Sequence, residues 1–111
     1  MLPNQKRLTT TLFKDTIDGG MTYHSSLFIL KLLKTIGPSR FSVSVPKKVA
    51  KSAVERNKIR RRVYSAIRIL YPKIKEGFYG VFISKDSIKK ASFIEISSIL
   101  EQSFVKLGLL K

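Results

Sequence analysis

A run of basic side chains at residues 54–68, VERNKIRRRVYSAIR, is the stretch of this sequence best suited to chemistry. It places six positive side chains in fifteen positions, and five of these crowd into seven residues: Arg56, Lys58, Arg60, Arg61 and Arg62. Like charges at such spacings destabilise an isolated helix by roughly 0.2 to 0.5 kcal/mol per pair, whereas contacts with phosphate groups would offset that cost. The run therefore predicts a surface that binds a polyanion.

The composition of the whole chain favours the same kind of partner. In 111 residues, 22 Lys and Arg stand against 7 Asp and Glu, which gives a formal net charge of +15. Such self-repulsion destabilises a folded chain unless polyanions or salt relieve it. An anionic membrane would also attract the charge, but membrane binding needs a helix with a wide apolar face left for lipid, which is hard to find here. Nucleic acid is the favoured partner.

Length and residue types limit the fold and the compartment. A chain of 111 residues with 43% hydrophobic content and no cysteine predicts one domain over residues 1–111, held by packing rather than by disulfides. No apolar run approaches the roughly 20 residues that cross a bilayer, and the N-terminus lacks the apolar core of a signal peptide. We therefore expect a cytoplasmic protein without a membrane partner.

The acidic and nucleophilic residues do not suggest an active site. The chain has one histidine, no cysteine and seven scattered acids, so a nucleophile with its base, or a carboxylate-rich two-metal site, is hard to assemble. A lone histidine such as His24 is more often structural or exposed than a metal ligand. We predict no catalytic residue and no metal ligand in this chain.

The elements that position the basic run follow from its periodicity. A helix is predicted from Ser52, with Ser52 and Glu55 placed as a capping box and Pro72 as the stop. Its core-facing stripe comprises Ile59, Val63, Ala66, Leu70 and, at the margin, Ile67. Its opposite face carries Asn57, Arg61, Tyr64 and Arg68. That face is either the binding surface or, as for most charged helices, merely a solvated one.

The remaining pattern predicts two further helices and several strands. Residues 10–20 form a short helix that stops at two glycines, and residues 92–108 form a last helix with a capping box at Ser92 and Glu95 and a stop at Gly108. Residues 27–34 and 40–45 read as a β-hairpin that turns at Gly37-Pro38, and residues 78–84 read as a buried strand. With a short strand near MTYHS, the order is αβββαβα.

The stretch VPKKVAKSAVERNKIRRRVYSAIR resembles the signature of the bacterial ribonuclease P protein family. In that signature, two lysines after a strand lead into a helix that bears an Arg-Asn pair and further basic residues. The KRL near the start, the short helix with Phe13, the RFSVSV strand, the later apolar strand and the amphipathic last helix recur in family order. The resemblance covers nearly the whole chain.

The resemblance implies an α+β fold, a single-domain two-layer α/β sandwich of the ribosomal-protein-like RNA-binding type. It also implies a left-handed βαβ crossover through the basic helix, which periodicity alone does not predict because crossovers are usually right-handed. The implied function is that of the accessory subunit of a ribonucleoprotein that removes the 5′ leader from precursor tRNA. RNA and Mg²⁺ perform the hydrolysis, the Mg²⁺ being held mainly through the RNA. One protein, monomeric when free, is expected per RNA.

The resemblance assigns two groups of binding residues. Those expected to contact the catalytic RNA are Lys47, Lys48, Arg56, Asn57, Lys58, Arg60, Arg61 and Arg68. Those expected to line a cleft for the single-stranded leader are Phe13, Ile17, Arg40, Ser42 and Ser44. Alternatively, Phe13 and Ile17 are core residues, and the three strand residues are the solvent side of an alternating strand.

The sequence departs from the family pattern at four positions. Pro46 precedes the two lysines, Ala50 replaces a common glycine, Tyr64 stands where Arg is frequent, and Lys31 stands where Tyr is frequent.

The residues alone are also compatible with two other classes of protein. One is a small basic ribosomal or other RNA-binding protein without processing activity, which would more often carry a basic tail. The other is a metal-dependent nuclease that acts alone.

Overall fold

The computed structural model describes residues 6–111 and has the predicted order αβββαβα. The elements are α1 (Thr10–Gly19), β1 (Met21–His24), β2 (Phe28–Lys34), β3 (Arg40–Ser44), α2 (Ala53–Leu70), β4 (Phe78–Ser84) and α3 (Phe93–Leu107). Short 3₁₀ helices occupy Tyr71–Lys73 and Asp86–Lys90. The fold class predicted from the sequence is confirmed.

The helices begin and end at the residues that the sequence singles out. The Ser52 hydroxyl accepts the backbone N–H of Glu55 at 3.0 Å, and the Ser92 hydroxyl accepts that of Glu95 at 3.1 Å. Gly108 ends α3 with a φ of +70°, a left-handed conformation that glycine adopts without the steric cost of a Cβ. Local capping chemistry therefore determines where the basic helix starts.

The four strands form one mixed sheet in the order β1-β2-β4-β3. The predicted hairpin between β2 and β3 is wrong, because β2 pairs antiparallel with β1 and with β4, and β4 lies between β2 and β3. The chain after β2 bonds to the start of β4 instead: the Thr35 N–H donates to the Gly77 carbonyl, and the Gly77 N–H donates to the Gly37 carbonyl. The near-continuous apolar β2 thus takes an interior position, where it has a strand on either side.

Strands β3 and β4 are parallel neighbours joined through α2, so the basic helix is the crossover of a βαβ unit. This agrees with the connection that the family resemblance implies. The left hand of the crossover stays a prediction. The connection places α2 beside the edge strand β3, so the basic helix and the strand predicted to face the leader are neighbours.

The core lies between one face of the sheet and the helices α2 and α3. The Phe82 ring packs against Phe28 at 5.0 Å and against Phe104 of α3 at 6.1 Å between centroids. Gly80 allows the Phe41 ring to lie close to the sheet, because a Cβ at residue 80 would lie 2.7 Å from Phe41 Cδ1. All five residues of the predicted stripe on α2 are buried, including the marginal Ile67. This layer of helices on the sheet forms the predicted sandwich.

Helix α1 packs on the opposite face of the sheet, against β2 and β4. Thr16 is its buried contact residue, and its hydroxyl donates to the Leu12 carbonyl at 2.8 Å. Val81 of β4 is also buried but lies outside the main apolar cluster. Because α1 covers two of the four strands, the same face of β3 keeps partly exposed side chains beside it.

Candidate nucleic-acid interface

The outer side of α2 presents cations that the rest of the described chain does not neutralise. Lys58, Arg61, Arg62 and Arg68 are exposed. Within residues 6–111, none of these four makes a hydrogen bond or an ion pair. Their positive charges are therefore available to a polyanion, as the sequence predicts, and contact with phosphates would relieve their mutual repulsion.

Arg56 and Arg60, by contrast, already have protein partners. Arg56 Nη1 donates to the carbonyl oxygens of Ala50 at 3.0 Å and Lys51 at 2.7 Å, and Arg60 Nη1 donates to Asn57 Oδ1. A guanidinium has five N–H donors, so both arginines keep donors for RNA. Arg56 also fixes the turn that precedes α2, which is a structural role that its position in the basic run did not reveal.

Lys47 and Lys48 lie exposed in the connection that leads from β3 into α2. The departure at Pro46 is accommodated there, because the Pro46 carbonyl accepts the N–H groups of Val49 at 3.0 Å and of Ala50 at 3.3 Å. Ala50 is buried. The turn is thus closed by backbone bonds that place the two lysines close to the start of the basic helix.

Tyr64 does not belong to the exposed face, and its predicted place there is wrong. It is 5% exposed, and its hydroxyl accepts the backbone N–H of Val43 at 3.1 Å. The physical reason is that β3 is the edge strand of the sheet and the margin of α2 lies against that edge, where the Tyr64 hydroxyl meets the Val43 N–H. The tyrosine supplies an acceptor for the strand rather than a contact for RNA.

We expect Tyr64→Phe to lower the free energy of unfolding by about 1 to 3 kcal/mol, because the buried Val43 N–H loses its acceptor. Urea unfolding measures the change. Tyr79→Phe is the matched control, since the Tyr79 hydroxyl makes no hydrogen bond within residues 6–111. Equal unfolding midpoints for the two variants would contradict the role given to the Tyr64 hydroxyl.

The second candidate surface is the sheet face beside α1. The register brings its side chains into three rows across β2, β4 and β3: Leu33, Tyr79 and Arg40; Lys31, Val81 and Ser42; Ile29, Ile83 and Ser44. Arg40, Ser42 and Ser44, predicted to face the leader, are all partly exposed on this face. A positive side chain and two hydroxyl groups therefore line the open strand next to the helix.

Phe13 and Ile17 lie on α1, one turn apart and on either side of the buried Thr16. Both are half-buried, and neither belongs to the main apolar cluster on the other face of the sheet or packs against it. The structure thus brings them to the same face as the strand residues. That they bind the leader stays a prediction.

Tyr79, on the sheet face beside α1, was missed by the sequence reasoning. Tyr79 is half-buried in the row of Arg40, although its strand reads as wholly buried, and alternation along FYGVFIS is the signal that could have found it. Lys31 lies on the same face and donates to Thr22 Oγ1 at 2.6 Å. This sheet face therefore has a half-buried tyrosine on β4 and a lysine on β2.

The segment before α1 runs along the outer edge of β3. The Leu8 N–H donates to the Phe41 carbonyl at 3.2 Å. Arg7 lies over the Tyr64 ring, 4.9 Å from its centroid, and Lys6 Nζ lies 4.4 Å from the Tyr71 centroid.

Burial raises the pKa of the Tyr71 hydroxyl, with a smaller contribution from Glu76, while Arg40 lowers it. At neutral pH the Tyr71 hydroxyl is therefore protonated, and it donates to the Ser39 carbonyl at 2.6 Å.

No group of three or more His, Cys, Asp or Glu side chains within residues 6–111 is placed to hold a metal ion. The one histidine, His24, is exposed. No helix in the described part of the chain is both long and apolar enough to cross a membrane. The residues of the two candidate surfaces, on α2 and on the sheet face beside α1, offer positive charge, hydroxyl groups and aromatic rings.

Comparison with known proteins identifies the family. The family model described as Ribonuclease P matches residues 2–108. The ribonuclease P protein component of Microcystis aeruginosa is 33% identical over 103 residues, which cover 88% of this chain and 86% of the relative. That of Clostridium kluyveri is 31% identical over 102 residues, covering 89% of this chain and 90% of the relative.

Solved structures show the same fold. The RNase P protein of Staphylococcus aureus superposes with a TM-score of 0.83 at 21% identity, covering 96% of this chain and 98% of that one. The RNase P protein of Thermotoga maritima gives a TM-score of 0.80 at 23% identity, covering 90% of this chain and 96% of that one. The likeness spans the whole architecture, including the crossover that carries the basic helix.

Proposed function

Because the chain belongs to the bacterial ribonuclease P protein family and is the protein subunit of that ribonucleoprotein in 5′ processing of precursor tRNA, we propose that its two surfaces divide RNA binding between them. Helix α2 binds the catalytic RNA, and the sheet face beside α1 binds the leader. The observation that carries the proposal is the set of exposed, unneutralised cations on α2.

The proposed RNA-subunit surface extends from the turn before α2 along its outer side. Lys47 and Lys48 contact phosphates at its start, and Lys58, Arg61 and Arg68 contact them along the helix. Arg56 and Arg60 use the guanidinium donors that their protein partners leave over, and Asn57 is held beside Arg60. The planar guanidinium suits bidentate contact with phosphate, which explains the preference for Arg over Lys in this run.

The proposed leader surface combines an aromatic ring and an apolar side chain of α1 with polar side chains of β3. Phe13 stacks on an unpaired base and Ile17 extends its apolar surface, while Arg40 contacts a phosphate and the hydroxyl groups of Ser42 and Ser44 contact sugar or phosphate oxygens. Stacking accepts any base, so such a cleft would bind leaders of many sequences. The chain works as one copy per RNA in the cytoplasm, and it supplies binding while the RNA and its Mg²⁺ supply the hydrolysis.

Reconstitution tests the proposal. The protein is combined with a bacterial ribonuclease P RNA transcript, and cleavage of a precursor tRNA is followed at low Mg²⁺. We expect the protein to raise the rate of leader removal, because its cations relieve repulsion between the two RNA molecules. A protein that bound the RNA without affecting cleavage would instead support the ribosomal-protein alternative. Cleavage by the protein with Mg²⁺ alone would support the solitary nuclease.

A further inference from the structure

A shallow groove between α2 and the first turn of α3 differs in composition from the rest of the basic surface. It is lined by Lys58, Arg61, Arg62 and Ser65 of α2 and by Phe93, the first residue of α3. Phe93 keeps 40% of its surface exposed, while most phenylalanines of the chain pack in the core. An aromatic ring is thus accessible beside three cations.

The charges in this groove are not balanced from either helix. No acidic residue lines it, and Lys58, Arg61 and Arg62 make no hydrogen bond or ion pair within residues 6–111. In the first turn of α3, Glu95 stays by the helix cap, with Oε1 3.5 Å from Ser92 Oγ. An acidic or phosphate-bearing ligand would relieve the repulsion among the three cations.

We propose that this groove binds an unpaired nucleotide of the catalytic RNA, with the base stacked on Phe93 and the flanking phosphates held by Lys58, Arg61 and Arg62. An exposed ring beside cations is the combination that binds single-stranded nucleic acid, because the base covers the ring while the phosphates neutralise the cations. A base-paired helix would present phosphates but no free base face to the ring. The Ser65 hydroxyl can bond a sugar or phosphate oxygen.

The position of the groove separates it from the leader surface. Helices α2 and α3 cover one face of the sheet, whereas α1 and the open row of β3 lie on the other. The single strand in this groove is therefore distinct from the leader bound beside α1. The inference rests on the proposed binding of the catalytic RNA by α2, and it adds a base-stacking contact to what is otherwise a phosphate-binding surface.

A fluorescent variant tests the stacking directly. The chain has no tryptophan, so Phe93→Trp introduces a single indole reporter. Titration with a bacterial ribonuclease P RNA transcript should quench its emission to saturation, because a stacked base quenches indole fluorescence. Val105→Trp is the control, since Val105 is exposed on the same helix but outside the groove, and its emission should stay nearly constant. Equal quenching of the two reporters, or none of Phe93→Trp at saturating RNA, would overturn the proposal.

An affinity series provides the second measurement. Phe93→Leu keeps an apolar side chain for packing but removes the ring, and we expect it to bind the RNA transcript roughly fivefold to 150-fold more weakly, the loss typical of one stacked base. Phe93→Tyr and Val105→Ala should bind within about twofold of the unchanged protein, given that one keeps the ring and the other lies outside the groove. Phe93→Leu should not change the affinity of the protein for a fully paired RNA duplex.

The α2 charge variant separates failure of this inference from failure of the proposed function. Lys58, Arg61 and Arg68 are replaced together by glutamine and titrated with the same RNA. If this variant binds weakly while Phe93→Leu binds normally, the stacking proposal is wrong and the binding of RNA by α2 stands. If neither variant loses affinity, both are wrong.

Discussion

Replacing Lys58, Arg61 and Arg68 together by glutamine is expected to weaken binding of the catalytic RNA about 10²- to 10³-fold in about 0.1 M monovalent salt. On the counterion-release account, each phosphate contact contributes roughly 0.7 to 0.9 of a logarithmic unit for every tenfold decrease in salt concentration. Three lost contacts should therefore reduce the slope of log K against log salt by about two to three. Titrations of the RNA transcript at several salt concentrations measure both quantities.

The structure determines which charges this variant should remove. All three chosen side chains are exposed and lack protein partners within residues 6–111, so their loss should leave the fold intact. Arg56 is spared because its bonds to the Ala50 and Lys51 carbonyls hold the turn before α2. A variant that included Arg56 would confuse a weakened turn with a lost phosphate contact.

A matched control removes the same amount of charge elsewhere. Lys73, Lys75 and Lys111 are exposed and lie outside α2, near the bridge between Ile74 and Leu110. Their replacement by glutamine should cost far less affinity, since only the long-range field of the protein changes. If the two triple variants lost equal affinity and equal salt slope, net charge rather than the surface of α2 would govern binding.

The starts of α2 and α3 and the end of α3 followed from short-range chemistry that the sequence displays. Ser52 and Ser92 cap the helices as expected because a serine hydroxyl needs only the N–H three residues later, and Gly108 ends α3 because its conformation is local. The stripe on α2 was equally predictable from its period. These features depend on neighbours in the chain and not on the tertiary fold.

The order of the strands could not be predicted in the same way. Residues 27–34 and 40–45 are separated by a plausible turn, so a hairpin was the simplest reading, yet β4 lies between β2 and β3 in the sheet. Strand pairing depends on contacts between residues far apart in sequence, and hydrophobic alternation does not specify which strand is the neighbour. The parallel pair of β3 and β4 came from the family resemblance alone.

The difference between local contacts and contacts far apart in sequence also explains why some residues of the candidate surfaces could not be predicted. Helical spacing placed Tyr64 with Arg61 and Arg68, but it could not show that the edge of β3 lies against that margin of α2 and needs an acceptor for the Val43 N–H. Nor could it show that Phe93, thirty-two positions after Arg61 in the chain, lies beside it in one groove. Tertiary contacts decide which residues of an amphipathic helix stay available to a ligand.

Phe13→Ala is expected to cost about 1 to 3 kcal/mol in the binding of precursor tRNA by the reconstituted holoenzyme, because one leader base loses its stacking partner. Mature tRNA lacks the leader, so its affinity should not change. The fold should tolerate the substitution, since Phe13 is half-buried on α1 and lies outside the main apolar cluster.

The alternative that Phe13 is a core residue predicts a different pattern. Truncating a buried phenylalanine typically lowers the free energy of unfolding by about 3 to 5 kcal/mol, and the damage would reach every ligand alike. Phe104→Ala serves as the reference for that case, because the Phe104 ring is fully buried between Phe41 and Phe82. One urea titration and two binding titrations per variant separate the readings. If Phe13→Ala resembled Phe104→Ala, losing stability and equal affinity for precursor and mature tRNA, Phe13 would be part of the packing that holds α1 on the sheet and not a leader contact.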